Sequence, residues 1–362
     1  MTMSRAVLAA VFAIGVLAAV LLLRPSWQVT AGGENCEIRL ERIVDLKSDR
    51  VGWGPTVLID DAIFHGQFDE VYEFGIDGAF RRVVAREGAG PGEIRDVRAL
   101  VRTGPRELAM IGWGSVTRVQ LDDSTSVTRL LQVSPNGLEK TVALPDGSIV
   151  VMSDMNVRGG DIALAGRVPM ARVDREGTIT TLFGRDERET EPPLRGIMID
   201  RAPAYHPVHG IAAVKTVKAH IELWNLDGTR RDVWYRDVPW FSWPPETGLT
   251  RQQVAAHVSG PRPPADRFMA AQFDSAGLLW VVAQDEAADW RSGIDDDGEI
   301  IDLEKWTDTV IEVLDVEGRQ VVCSARVDPY IMGFAAPGVM TSYRYDRNDN
   351  PILTLWRATL TL

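Results

Sequence analysis

Histidine, cysteine and basic charge are all scarce in this chain of 362 residues. There are five histidines and two cysteines. Two cysteines cannot build a disulfide framework or a cysteine-based zinc site. Lys and Arg total 39 against 51 Asp and Glu, a formal net charge of −12. That is the wrong sign for a nucleic-acid partner, which needs a basic face. No Gly-x-Ser-x-Gly elbow, His-Glu-x-x-His helix or dinucleotide fingerprint occurs, so the enzyme classes built on those motifs have no support. Helical periodicity is sparse in the body, which excludes a helix bundle. The composition is otherwise globular: 45% hydrophobic, 25% charged, with 32 Gly, 20 Pro and 11 Trp.

One long apolar run exists, at the start. Residues 1–5 are short and basic, and residues 6–23 are apolar without a break. Val29-Thr30-Ala31 offers small residues at a cleavage site. As a helix the run would rise about 27 Å, enough to cross a thin hydrocarbon core. Residues 1–31 are therefore expected to be either a cleaved signal peptide or a membrane anchor. Arg5 favours an N-terminus that stays cytoplasmic. Either way the body, from residue 36, is expected to be extracytoplasmic: periplasmic, secreted, or held at the membrane by residues 6–23. That compartment is oxidising, so Cys36 and Cys323 are candidates for a disulfide. The alternative is two unpaired, partly buried thiols.

The body reads as short strands broken by turns. Runs such as Glu107 to Ile111, His220 to Leu226 and Val310 to Val316 each fit a strand of five to seven residues. The turns are specific. "FGIDGAFRRV", "VDREGTITTL", "WNLDGTRRDV" and "LDVEGRQVVC" are all strand, acidic-Gly turn, strand. Asp-Gly pairs of this kind predict hairpin turns whose central residues take positive φ. A second series of turns alternates with the first. Repeated β-units of this length predict a propeller rather than a sandwich. The expected fold is all-β and six-bladed. The strand from Cys36 to Leu46 would complete the last blade, whose C-terminal part supplies only three strands. Residues 36–362 then form one domain.

"REGAGPGEIRDVRAL", residues 86–100, resembles the Gly-x-Gly-Pro-Gly-Glu segment of bacterial six-bladed propeller proteins related to NHL-repeat domains. "GVMTSYRYDRNDNPILTLWRATL" resembles their closing blade. The resemblance spans residues 36–362. It implies the same fold and an exported or membrane-anchored protein, and assigns no activity. Read physically, Gly88, Gly90 and Gly92 allow a sharp turn and Glu93 can cap its amides. A phosphate cradle is excluded, because no Lys-Ser/Thr and no helix N-terminus follows.

Two loop insertions, about 236–267 and 284–308, map to the face carrying the blade-to-blade connections. They hold Trp240, Trp243, Trp290 and Trp306, which are candidate contacts for a protein, peptide or glycan. The competing reading packs these rings onto the propeller. The second insertion is acidic, and Asp295, Asp297 and Glu304 match three positions of a calcium loop whose first position lacks a carboxylate. A solvated acidic loop is the simpler account. His206 and His209 could bring two imidazoles together, but a metal site needs a third ligand. No cofactor is expected, with Ca²⁺ as the ion to test. The expected function is a non-catalytic binding or scaffold propeller at the cell envelope. The alternative is a metal-dependent lyase or hydrolase of the lactonase-like propeller type, acting in the central channel.

Overall fold

The computed structural model describes residues 36–88, 90, 92–112, 114–122, 125–131, 140–152, 170–184, 201–216, 218–241, 266–294, 300 and 302–362, and the backbone of 28–29, 133–134 and 156–157. The apolar run 6–23 lies outside them. Among the described residues no helix is long and apolar enough to cross a membrane.

The fold is a six-bladed β-propeller. Five blades are antiparallel four-stranded sheets spanning 56–85, 99–130, 141–183, 201–235 and 267–327. The sixth sheet holds Ile331–Ala336, Val339–Tyr345 and Pro351–Thr361, with Glu37–Lys47 paired antiparallel along the last of these. The first strand of each blade packs on the first strand of the next, and Ile331–Ala336 returns to Thr56–Ile59, so the ring closes. Every sheet then has both faces covered by neighbours. The apolar core is accordingly divided into clusters that each join two adjacent blades. Phe64 and Leu108 pack between blades one and two, for example, and Phe268 and Leu223 between five and four.

Sequence-level turn chemistry explains the hairpins, with one correction. Gly78, Gly177 and Gly228 take φ of 82°, 86° and 87°, but the acidic residues before them do not take positive φ. The turns carry one left-handed residue, followed by a register shift in the flanking ladder. The carboxylate near each turn folds back on the backbone: Asp174 Oδ1 accepts from the N–H groups of Glu176 and Thr178, and Asp227 Oδ1 from that of Thr229. In blade five the left-handed position is Arg319, at φ 52°, and not Gly318. Asp315 Oδ1 accepts from both Glu317 and Gly318 there.

A disulfide joins Cys36 to Cys323, with Cα atoms 5.9 Å apart across a separation of 287 residues. Cys323 lies on the outer strand of blade five, and Cys36 precedes the strand that lies in the sixth sheet. The bond therefore staples two neighbouring blades.

Candidate functional site at the channel mouth

The inner strands enclose a cavity of about 550 Å³ that contacts all six blades. That volume lies within the range of small-molecule sites. Part of its wall is built from small or apolar side chains. Ala270, Ala271 and Gly333 contribute small side chains and Met269 a flexible one where larger ones would fill the bore. Polar side chains line it as well, among them Thr56, Thr141, Tyr205 and Thr341. Among the described residues that line it, Asp96 is the one carboxylate, Arg98 and Lys140 are the cations, and there is no imidazole. Gln272 lines it as well, and its Oε1 is buried with no donor.

One end of the bore is the face of the blade-to-blade connections. Trp53, Asp96, Arg98 and Lys140 all precede the inner strands of blades one, two and three. Phe68 joins them from the turn between the second and third strands of blade one. Trp53 is 51% exposed and Phe68 79%, unusual for large apolar side chains beside a cavity. Both are held by built structure. The Trp53 ring lies 5.7 Å from those of Tyr330 and Tyr343, tilted against one and edge-on to the other. Both tyrosines are buried. The tyrosine hydroxyl of Tyr330 is buried without a partner, and Tyr343 is pushed well above the ordinary phenol range by burial.

The backbone around Trp53 is equally fixed. His65 is fully buried in the second strand of blade one. Its Nε2 accepts from the backbone N–H of Gly52 at 3.2 Å, and its Nδ1 lies 2.9 Å from Thr56 Oγ1. An amide can only donate, so Nε2 is unprotonated and the neutral ring carries its proton on Nδ1. Burial pushes the imidazole down to about 4. Gly54 has no room for a side chain, because a Cβ there would overlap the carbonyl oxygen of Gly66. Phe68 is anchored through its neighbours. Its carbonyl accepts from Val97 N–H at 2.8 Å, and Asp69 Oδ1 accepts from Asp96 N–H at 2.6 Å.

The Gly-rich loop sets the position of Asp96 and Arg98. Glu93 Oε2 accepts from Gly90 N–H at 2.6 Å, and Gly92 takes φ of 82°. A Cβ at Gly88 would overlap the Glu93 carboxylate and would push that side chain off its cap on Gly90. Asp96 and Arg98 form an ion pair, which leaves the buried Nε of Arg98 with no acceptor.

The residues singled out from sequence fall elsewhere. Trp240 is half-buried and packs inward, 5.9 Å from Phe268 and 5.8 Å from Phe241. Trp290 is half-buried with Arg291 over its ring, in a 3₁₀ turn that packs against the short helix Leu303–Trp306. Trp306 closes that helix and is half-buried. Trp243, Asp295 and Asp297 lie outside the described residues. Glu304 sits in the first turn of the helix, its carboxyl pushed up by burial. His206 and His209 are stacked, with ring centroids 4.7 Å apart, and both rings lie against Phe273. His209 Nδ1 meets Glu317 Oε1 at 3.0 Å. This pair belongs to the turn after the inner strand of blade four, on the face opposite the Trp53 mouth. Among the described residues no three His, Cys, Asp or Glu side chains converge as a metal site would need.

No family model matches the chain, and no curated protein matches it in sequence. Solved structures match it in fold. A Bacteroides fragilis protein expected to be exported aligns at TM-score 0.50 and 10% identity, over 91% of this chain and 97% of its own. An inactive variant of virginiamycin B lyase from Staphylococcus aureus, solved with quinupristin, aligns at 0.47 and 11%, over 90% of this chain and 100% of its own. A gluconolactonase from Xanthomonas campestris aligns at 0.47 and 15%, over 93% and 99%. At these identities the likeness is one of fold, and one fold hosts many chemistries.

Proposed function

We propose that this chain is an extracytoplasmic, non-catalytic binding propeller whose ligand enters the central channel at the Trp53 mouth. The carrying observation is the cavity of about 550 Å³ lined from all six blades, with an exposed tryptophan at its mouth braced by two buried tyrosines. An aromatic side chain fixed at a cavity mouth gives contact area at little entropic cost. The strand Glu37–Lys47 closes the ring, and the segment before it exports the body or tethers it at the cell envelope. Export agrees with the disulfide, which persists in oxidising compartments. The loop face of Trp290 and Trp306 would then serve a protein, peptide or glycan partner, beside the channel rather than in place of it. The metal-dependent enzyme reading has less support, since His206 and His209 lie outside the cavity lining.

The test uses an uncharged apolar dye, N-phenyl-1-naphthylamine, whose fluorescence rises on leaving water. Wild type should saturate with one dye per chain. Gly333→Leu, which narrows the bore, should abolish the response while leaving the circular dichroism unchanged. An equal response from both proteins would refute a channel site.

A further inference from the structure

Two residues of the bore are set apart by backbone geometry. In blade five the inner strand Arg267–Phe273 advances from Phe268 to Ala270 while its partner strand advances one step, from Ala283 to Val282. Met269 is the extra residue of that bulge. In blade six Ile331 faces Ser342 and Gly333 faces Thr341, so Met332 is the extra residue there. A bulged residue is left out of the ladder, and bulges re-aim side chains. Both methionines line the channel cavity, and both are half-buried. They stand at different seams. Met269 packs on the apolar cluster between blades five and six, and Met332 on the one between blades six and one.

The other described methionines are shut away. Met110, Met152, Met170 and Met340 are all buried, and the Met152 sulfur accepts from the backbone N–H of Arg201. Free thiols are absent, because the two cysteines of the chain are joined to each other. Two-electron oxidants otherwise attack exposed thiolates, and after them thioethers. Among the described residues the accessible soft nucleophiles are therefore the thioethers of Met269 and Met332.

We infer that Met269 and Met332 form an oxidation site whose oxidant is a hydroperoxide, and that their oxidation weakens the hold of the channel on apolar ligands. The second half rests on the channel reading given above, and the first half does not. In the reaction a sulfur lone pair attacks one peroxide oxygen, and an S–O bond forms as the O–O bond breaks. The proton on the transferred oxygen passes to the departing one, which leaves as water or an alcohol. Sulfur gives up two electrons and the peroxide takes them. Two thiols reverse the step, becoming a disulfide and releasing the oxygen as water. The sulfoxide is polar where the thioether was apolar. Burying its oxygen in either apolar seam costs desolvation, so the oxygen is best solvated in the bore. An apolar ligand there would have to strip that water.

The test treats the native chain with hydrogen peroxide and scores each methionine for sulfoxide by peptide mass spectrometry over time. Met269 and Met332 should oxidise at least about tenfold faster than Met110, Met152, Met170 and Met340, whereas in the urea-unfolded chain all six should oxidise alike. The oxidised chain should bind N-phenyl-1-naphthylamine about fivefold more weakly. A Met269→Leu, Met332→Leu variant, close to wild type in volume, should bind the dye as untreated wild type does and ignore peroxide. Each single variant should keep part of the peroxide response, so the result does not depend on the double variant folding. If the four buried methionines oxidise as fast as these two, the oxidation site is overturned whatever the dye does. If the two oxidise first and dye affinity holds, the site stands and its control of the channel is overturned. If untreated wild type binds no dye, the channel reading fails, and the mass spectra still decide the oxidation site.

Discussion

The backbone N–H of Gly52 donates to Nε2 of His65 at 3.2 Å, and the next residue in the chain is Trp53. A buried imidazole thus holds the loop that presents the aromatic rim. An imidazolium has no acceptor to offer Gly52, so protonation must break this contact. Burial lowers the folded value from 6.5 to about 4. The unfolded chain therefore binds the proton first as pH falls. Stability contributed by neutral His65 is fully present above pH 6.5, is lost progressively below it, and levels off near pH 4. At 1.36 kcal/mol per unit the loss reaches about 3 kcal/mol. The lowered carboxylates, such as Asp227, Asp315 and Asp346, act in a lower window, losing their contribution only as pH falls through values below 3.8. Urea unfolding between pH 6.5 and 4 should show the slope, and His65→Gln, which can still accept from Gly52, should flatten it. An unchanged slope in that variant would assign the effect to other groups.

Gly54 offers a sharper probe of the same loop. Any side chain there collides with the Gly66 carbonyl, a backbone atom that cannot swing aside. Gly54→Ala should cost about 1–3 kcal/mol, the usual range for overpacking, and should weaken dye binding in the channel more than it lowers the melting temperature. Gly114, where an added Cβ meets nothing within 4 Å, is a control for the space but not for its positive φ.

The Cys36–Cys323 bond closes a very long loop and joins blades five and six. Cross-linking constrains the unfolded chain more as the loop lengthens, although native-state effects often reduce the gain. A Cys36→Ser, Cys323→Ser double variant should lose about 2–5 kcal/mol and its melting temperature should no longer respond to reductant. Equal stability of variant and wild type under oxidising conditions would show that the ring holds without its staple.

Strand positions and blade count were legible because both depend on local chemistry. Alternation marks a strand wherever it stands, and an acidic residue beside glycine marks a turn in any blade. The turn conformation was less legible: Asp-Gly pairs suggested two left-handed residues, but the carboxylate hydrogen bonds seen at Asp174 and Asp227 favour turns with one. The channel mouth was not legible, since its residues come from connections far apart in the chain and meet only through ring closure. Trp53 and Trp240 both sit in loops beside prolines. One ends at the bore and the other against Phe268, and only the placement of the blades separates them. A signal was present in the short Gly52-Trp53-Gly54-Pro55 connection, where a large ring flanked by glycines has no sheet neighbour of its own. His65 gave none, as it occupies an ordinary strand position.

Glu222 is the acidic hub of blade four. Its carboxylate takes Arg201 through two contacts, at 3.0 and 3.2 Å, with Lys215 Nζ at 3.6 Å and Trp224 Nε1 at 3.2 Å. Arg201 is fully buried and Glu222 nearly so. Such a cluster contributes little net stability while intact, because desolvation offsets the attraction. Removing one member is another matter, since the remaining charges stay buried. Glu222→Gln keeps the shape and most hydrogen-bonding capacity but removes the negative charge that meets Arg201 and Lys215. The expected loss is about 3–5 kcal/mol, read as a lower denaturant midpoint at unchanged slope. Glu222→Gln combined with Arg201→Met removes one of the buried cations that Glu222 meets and should recover part of that loss. If the double variant is less stable than the single one by the full cost of Arg201→Met alone, the two residues are not energetically coupled and the cluster is mere proximity.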